Sequence, residues 1–251
     1  MRTILTILLL IFIQSTYGQN NVVELKSFMG GKERTKSIKE KIKKANFNTL
    51  DVIDVYVELD REIDFDYRHH RIRIMPAKGW DLKLNFLSNK GVIKHGWISE
   101  YKSDNEKHMN LELFKAVPEI LNEYISKHHK FYQVNLNEAD FEEQVLAEYV
   151  VGFGCGFSGE QISKESKATL RYSDNKNIKK LNDYLTSFSP ELQTLGAIGL
   201  FKIGKLNDSQ NKIISHLKSR NSEINSCAGC IYGFGETFND RIKHYEGKAS
   251  R

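Results

Sequence analysis

Apolar residues recur along this chain with two different periods. Between Asp51 and Tyr67 the period is two: Ile53, Val55, Val57, Leu59, Ile63, Phe65 and Tyr67 fall on one side, with Asp54, Glu58, Asp60, Glu62, Asp64 and Asp66 on the other. A half-buried strand pair, or one long bent strand, requires this alternation because successive side chains leave opposite faces. Arg71 and Arg73 then alternate with Ile72 and Ile74. A hairpin through Arg68-His69-His70 would set these arginines opposite the acids, and such cross-strand pairs contribute roughly 0.2–1 kcal/mol each. Two further strands are expected at about Trp80–Leu87 and Val92–Tyr101, separated by the turn sequence Ser88-Asn89-Lys90-Gly91. The sum is an antiparallel meander of four or five strands from about Leu50 to Tyr101.

The second period is helical. Leu113, Phe114, Val117, Leu121, Tyr124, Ile125 and His128 recur at three and four, with Pro118 at a helix start or a kink. A helix over Glu138–Val150 carries Phe141, Val145, Leu146 and Tyr149 on one face and runs into Val151-Gly152-Phe153-Gly154-Cys155-Gly156-Phe157-Ser158-Gly159. Residues 154–159 have the letters G-x-G-x-x-G, but a helix before them and no surrounding βαβ unit argue for a tight turn rather than a dinucleotide loop. Upstream, residues 31–45 hold the one basic cluster. Ile38, Ile42 and Ala45 are helically spaced there, which reads as a short amphipathic helix with a solvated lysine face.

The stretch from Ile178 to Cys230 repeats itself. Leu181, Leu185, Ser187, Ser189 and Glu191 return in looser form as Ile213, Leu217, Ser219, Asn221 and Glu223. Each copy reads as a helix, a cap (Ser189-Pro190, then Asn221-Ser222) and a second helix, which is the period and content of an α-solenoid unit. Residues 189–204, from Ser189-Pro190-Glu191 to Lys202-Ile203-Gly204, resemble the second helix of a bacterial HEAT-type repeat, whose small residues let helices approach. That resemblance implies a scaffold or binding surface.

Three cysteines are present. The second copy ends Cys227-Ala228-Gly229-Cys230 where the first has Leu195-Gly196-Ala197-Ile198. On a helix, Cys227 and Cys230 would share one face near the N-terminus, where a thiol's pKa is lowered. Three single bridges are open: Cys155 to Cys227, Cys155 to Cys230, or Cys227 to Cys230. A zinc site built from Cys155, Cys227 and Cys230 with His216 or His244 has suitable ligand types. No Ser/His/Asp or paired-carboxylate spacing diagnostic of catalysis appears, and no cofactor is expected.

The N-terminus sets the compartment. Arg2, the apolar run Ile4–Ile13 and the small residues Thr16 and Gly18 fit a secretory signal cut after Gly18. The run is shorter than the roughly 20 residues that span a bilayer. No cysteine follows the cut, so a lipid anchor is not expected. This leader, with the Gly-Cys-Gly and Cys-x-Gly-Cys pair, is similar to those of uncharacterised exported proteins of Bacteroidetes-type bacteria, which implies a periplasmic or secreted protein. Without Arg2 the basic residues fall from 37 to 36 against 32 acids, a formal charge of +4. That balance is too mild, and too dispersed, to argue for nucleic-acid binding.

The expectation is an α+β protein: a signal over 1–18, a helix and antiparallel sheet over 19–105, and a helical region over 106–251 with its two-copy repeat at about 178–236. Its expected role is non-catalytic binding of a protein partner, through the aromatic and charged face of the sheet; Trp80, Phe86 and Trp97 themselves read as the large fillers of a small sheet's core, with a ligand groove as the alternative. The alternatives are a thiol–disulfide enzyme using Cys227 and Cys230, or a zinc-stabilised structural module.

Overall fold

The structure, a computed structural model, describes residues 19–32, 34–103, 107–204 and 206–246, with the side chain of residue 234 left out. The expected signal segment lies outside these residues. The chain divides into two compact units. One comprises the described residues up to Arg61 together with Asp66–Leu121; the other comprises Glu62–Phe65 and the described residues from Asn122 onward.

The first unit is built on a five-stranded antiparallel meander in the order β1 (Val52–Glu62), β2 (Tyr67–Pro76), β3 (Asp81–Asn89), β4 (Val92–Lys102) and β5 (Lys107–Lys115). Register across the central strands sorts the side chains by face. Ile72, Leu84 and Ile98 form one row and His70, Phe86 and Gly96 the next. This face is covered by Val22, Leu25 and Met29 from a helix over 19–30 (α1) and by Ile38 and Ile42 from α2 (Ile38–Lys43), giving a continuous apolar core. Gly96 is required there: a Cβ would lie 2.4 Å from the Phe114 ring.

The opposite face carries the rows Arg71–Asn85–Trp97 and Arg73–Lys83–Ser99. Arg71 Nε donates to Asn85 Oδ1 at 2.8 Å, and Arg73 Nε donates to Asp81 Oδ2 at 2.7 Å. Two local expectations are corrected. Arg68, His69 and His70 lie within β2 rather than in the turn, which falls at residues 63–66 with Phe65 and Asp66 in the left-handed region. Leu113 and Phe114 belong to β5, not to the following helix, which begins at Pro118.

The second unit contains α3 (Pro118–Tyr132) from Asn122 on, then α4 (Glu138–Leu146), β6 (Val151–Cys155), α5 (Lys164–Asp174), α6 (Ile178–Leu185), α7 (Pro190–Ile203), α8 (Asp208–Arg220), β7 (Glu223–Gly229), β8 (Ile231–Thr237) and α9 (Phe238–Glu246). Its centre is α7, buried from Pro190 through Phe201. The start and stop are those expected: Ser189 accepts from Leu192 N, Pro190 sits in the first turn, and Gly204 closes the helix at φ 124°. Leu181, Leu185, Leu195, Ile198, Ile213, Leu217, Phe238 and Ile242 form its apolar core.

The first copy of the repeat forms the hairpin α6–α7; the second does not form one. Asn221 is the left-handed C-cap of α8 rather than the start of a helix, and Glu223–Gly229 is a strand. The physical reason lies in the glycines. Gly229, Gly233 and Gly235 all adopt positive φ, which a helix has no use for, while Ile224 and Cys227 are buried on a strand that pairs with β6 and β8. The run Val151–Cys155 is likewise a strand, not the end of a helix, and it pairs in parallel with β7.

Small residues set how closely the α6–α7 hairpin packs. A Cβ on Gly196 would lie 2.4 Å from Leu185 N and 2.7 Å from Leu181 O, both backbone atoms, whereas one on Gly199 would first meet the tip of the Leu181 side chain at 2.3 Å. Gly196→Ala is therefore expected to destabilise the protein by about 1–3 kcal/mol, against the roughly 1 kcal/mol that alanine gains over glycine in a helix. Gly199→Ala should cost less. Urea midpoints of the two variants check the order.

Candidate functional site

Two constellations in the second unit carry chemistry. The first is buried. Asp64 sits in the turn after β1, next to Phe65, whose left-handed backbone is unusual for a bulky residue. The Phe65 ring packs edge-on against Tyr124 at 5.7 Å, which offsets part of that strain. The Asp64 carboxylate is almost fully enclosed, with 1% of its side chain exposed. Its Oδ1 accepts from Arg220 Nη1 at 2.5 Å and from His216 Nε2 at 2.9 Å; its Oδ2 accepts from the Tyr132 hydroxyl at 2.9 Å.

Gln193 closes the circuit. Its Oε1 accepts from Arg220 Nη2 at 2.7 Å, and its Nε2 donates to the Tyr132 oxygen at 3.2 Å and to Ser187 O at 2.8 Å. His128 Nε2 donates to the same carbonyl at 3.3 Å.

The electrostatics follow from burial against pairing. Burial alone would push the Asp64 carboxyl up, but the Arg220 charge and the His216 hydrogen bond outweigh it and hold the group well below the usual carboxylate range. Burial, reinforced by the neighbouring Asp64 charge, pushes the Tyr132 hydroxyl well above its ordinary value, so it stays a donor. His128, enclosed between the Tyr132 and Phe188 rings, is lowered to about 4 by burial and is neutral at physiological pH. His216 is the partly open member, with 29% of its side chain exposed and its ring 4.4 Å from that of Phe131. Its one hydrogen-bond partner among the described residues is Asp64. The Asp64 contact orients the His216 ring, and the cluster as a whole joins residues of α3, α7 and α8 in one hydrogen-bonded circuit.

The second constellation is the cysteine corner. Cys155 of β6 and Cys227 of β7 are joined by a disulfide, with their Cα atoms 5.4 Å apart. Gly152 faces Cys227 in the parallel register, and a Cβ there would lie 2.2 Å from Cys227 Sγ and 2.3 Å from Cys155 Sγ. Glycine at 152 thus makes room for the bridge.

The chain after Cys155 folds back at once. Cys155 and Gln161 exchange backbone hydrogen bonds of 2.7 and 2.9 Å, and Gly159 N donates to Gly156 O at 2.9 Å, so residues 156–159 form a tight turn with Phe157 at its apex. On the neighbouring strand, Ala228 pairs with Ile231 across the two-residue turn Gly229-Cys230. Cys230 lies exposed in that turn as a free thiol.

The expected ligand set is thus divided. Cys155 and Cys227 are consumed in one bridge, Cys230 stands apart at the surface, and His216 is bound to Asp64. Among the described residues no group of three or more His, Cys, Asp or Glu side chains is arranged to hold a metal ion. Cys227 and Cys230 occupy a strand and a turn, not one face of a helix, which removes the helix terminus that would have activated a thiol. Phe86 and Trp97 are each 1% exposed and so fill the core, as large aromatic residues of a small sheet are expected to, rather than line a ligand groove.

Sequence reasoning missed the Asp64 cluster. Its partners lie from 68 to 156 residues away, and no local spacing ties them together.

Two measurements check these assignments. Asp64→Asn leaves the Arg220 guanidinium buried without a counter-charge and should cost on the order of 3–5 kcal/mol. Tyr132→Phe should cost about 1–2 kcal/mol, and the double variant Asp64→Asn/Arg220→Met should recover much of the loss in chemical denaturation. Alkylation without reductant should modify Cys230 alone, with Cys155 and Cys227 reacting only after reduction, as read by peptide mass spectrometry.

In comparisons with protein-family models, curated proteins and solved structures, this chain matches none.

Proposed function

We propose that the chain is an exported, non-catalytic binding protein of the cell envelope that meets a protein partner through the tip of its small sheet. The observation that carries this reading is the exposure of Phe157, 98%, at the apex of a turn anchored by the Cys155–Cys227 disulfide. Ile231 and Tyr232 on the adjoining hairpin are 78% and 56% exposed. Cys155 and Gly229 are register partners, so the two turns lie side by side.

Aromatic and aliphatic side chains held out on fixed turns have little to gain within the fold. They suit insertion into a partner's pocket, because little freedom remains to be lost on binding. The surrounding charge favours a protein over a lipid surface. Residues 152–163 and 223–240 contain no Lys or Arg but include Glu160, Glu223, Glu236 and Asp240. A tip that seeks anionic membrane carries basic residues beside its aromatic ones.

The test is cross-linking capture from the native envelope fraction, followed by affinity measurement with the purified partner. Phe157→Ser should weaken binding about thirtyfold or more, the loss typical of a central anchor, and Ile231→Ser should weaken it less. A partner retained at full affinity by the Phe157→Ser/Ile231→Ser double variant, or no partner at all, would sink the reading. Binding of anionic vesicles that depends on Phe157 would replace the protein with a membrane.

A further inference from the structure

Helix α5 has two unlike faces. Ser166, Thr169 and Ser173 recur at three and four and are buried. Thr169 and Ser173 pack against the gap left by Gly199 of α7, where a Cβ would lie 3.1 Å from both Ser173 Oγ and Thr169 Cγ2, while Ser166 Oγ accepts from Gly152 N at 2.9 Å. Ser173 Oγ donates to Thr169 O at 2.8 Å and to Gly199 O at 3.2 Å, which seats the helix in one rotation.

That rotation brings Lys164, Lys167 and Arg171, spaced at three and four, to the side of a cleft of about 470 Å³. The cleft is completed by Tyr172 and, from α6, Tyr184, whose rings meet edge to face at 5.8 Å. The size is that of a small-ligand site. None of the three cations forms an ion pair among the described residues, and Arg171 lies 5.3 Å over the Tyr172 ring. Glu165 is the one acid in the lining, so three positive charges against one negative leave a surplus of two. Burial, followed by the neighbouring Tyr172 hydroxyl, raises Tyr184 to about 12, so its hydroxyl remains a hydrogen-bond donor.

A cleft of this make-up offers an aromatic surface for the C–H face of a sugar ring, hydroxyls for its polar edge, and cations for a carboxylate. We propose that the α5–α6 cleft is a binding site for an acidic sugar, a short uronate-bearing oligosaccharide. The site is separate from the disulfide-anchored tip and rests on different residues. A neutral glycan would leave the charge surplus unused, and an extended acidic peptide would leave the tyrosine platform unused.

Isothermal titration at low ionic strength with three probes tests this: a galacturonate trisaccharide, a neutral galactose trisaccharide and a hexaglutamate peptide. The acidic sugar should bind, the neutral one at least tenfold more weakly, and the peptide weakly or not at all. Lys167→Gln and Arg171→Gln, both at exposed positions, should each weaken the acidic sugar about tenfold, and Tyr184→Ala should weaken it further. Added salt should weaken binding as well. The proposal is overturned by no binding of the acidic sugar, by equal binding of the neutral one, by equal binding of the peptide, or by affinity unchanged in both charge variants. The probe comparison on the unaltered protein decides the matter even where a variant fails to fold.

Discussion

A carboxylate taken out of water must be met by charge and hydrogen bonds, and the second unit is arranged around that requirement at Asp64. Every oxygen of the group is answered by a donor from a different helix: Tyr132 from α3, His216 and Arg220 from α8. Gln193 of α7 then ties Arg220 to Tyr132, so α3, α7 and α8 share one circuit. A buried ion pair is weak evidence for added stability, since a well-packed apolar set often does as well. What the circuit supplies is a single arrangement, because a slipped helix strands a charge. Apolar packing around α7 supplies the bulk of the attraction, and the polar circuit selects among the ways in which it can be satisfied.

The division of labour within α5 shows the same economy at the surface. Its small hydroxyl face fits where α7 has glycine, and this fit dictates which side chains are left facing outward. Lys164, Lys167 and Arg171 are thus positioned by residues with no chemistry of their own. The disulfide corner works similarly. Gly152 makes room for the bridge and the positive-φ glycines at 156 and 159 shape the turn, so residues without side chains decide where Phe157 stands.

The sheet was readable in the chain because side chains of unlike character alternate with a two-residue period, and the rows Ile72–Leu84–Ile98 and Arg71–Asn85–Trp97 carry that alternation across strands although both rows are buried. The fifth strand was not, because its Leu111 and Leu113 are both exposed and its one buried residue, Phe114, falls at helical distance from Val117 and Leu121. The second copy of the repeat misleads for a related reason. Ile213, Leu217 and Ile224 are all buried, but the first two on a helix and the third on a strand, and spacing alone does not record where the backbone changes. Gly229, Gly233 and Gly235 hold that information. The choice among three possible bridges rests on Gly152 lying opposite Cys227, a pairing between segments far apart in the chain. Asp64 looked like one more acid in an alternating run, although its neighbours Glu62 and Asp66 stay in solvent.

The Cys155–Cys227 bridge spans a sequence separation of 72, and α5, α6, α7 and α8 all lie inside the covalent ring it closes. In the chain-entropy view a ring of that length contributes about 4 kcal/mol by restricting the unfolded chain. The ring also changes what backbone damage does. A peptide bond cut anywhere between the two cysteines opens a circle rather than dividing the molecule, so the two pieces travel together, each still joined to the bridge at one end. In a compartment where proteases are present and reductants are scarce, the protein would survive such a nick as one body.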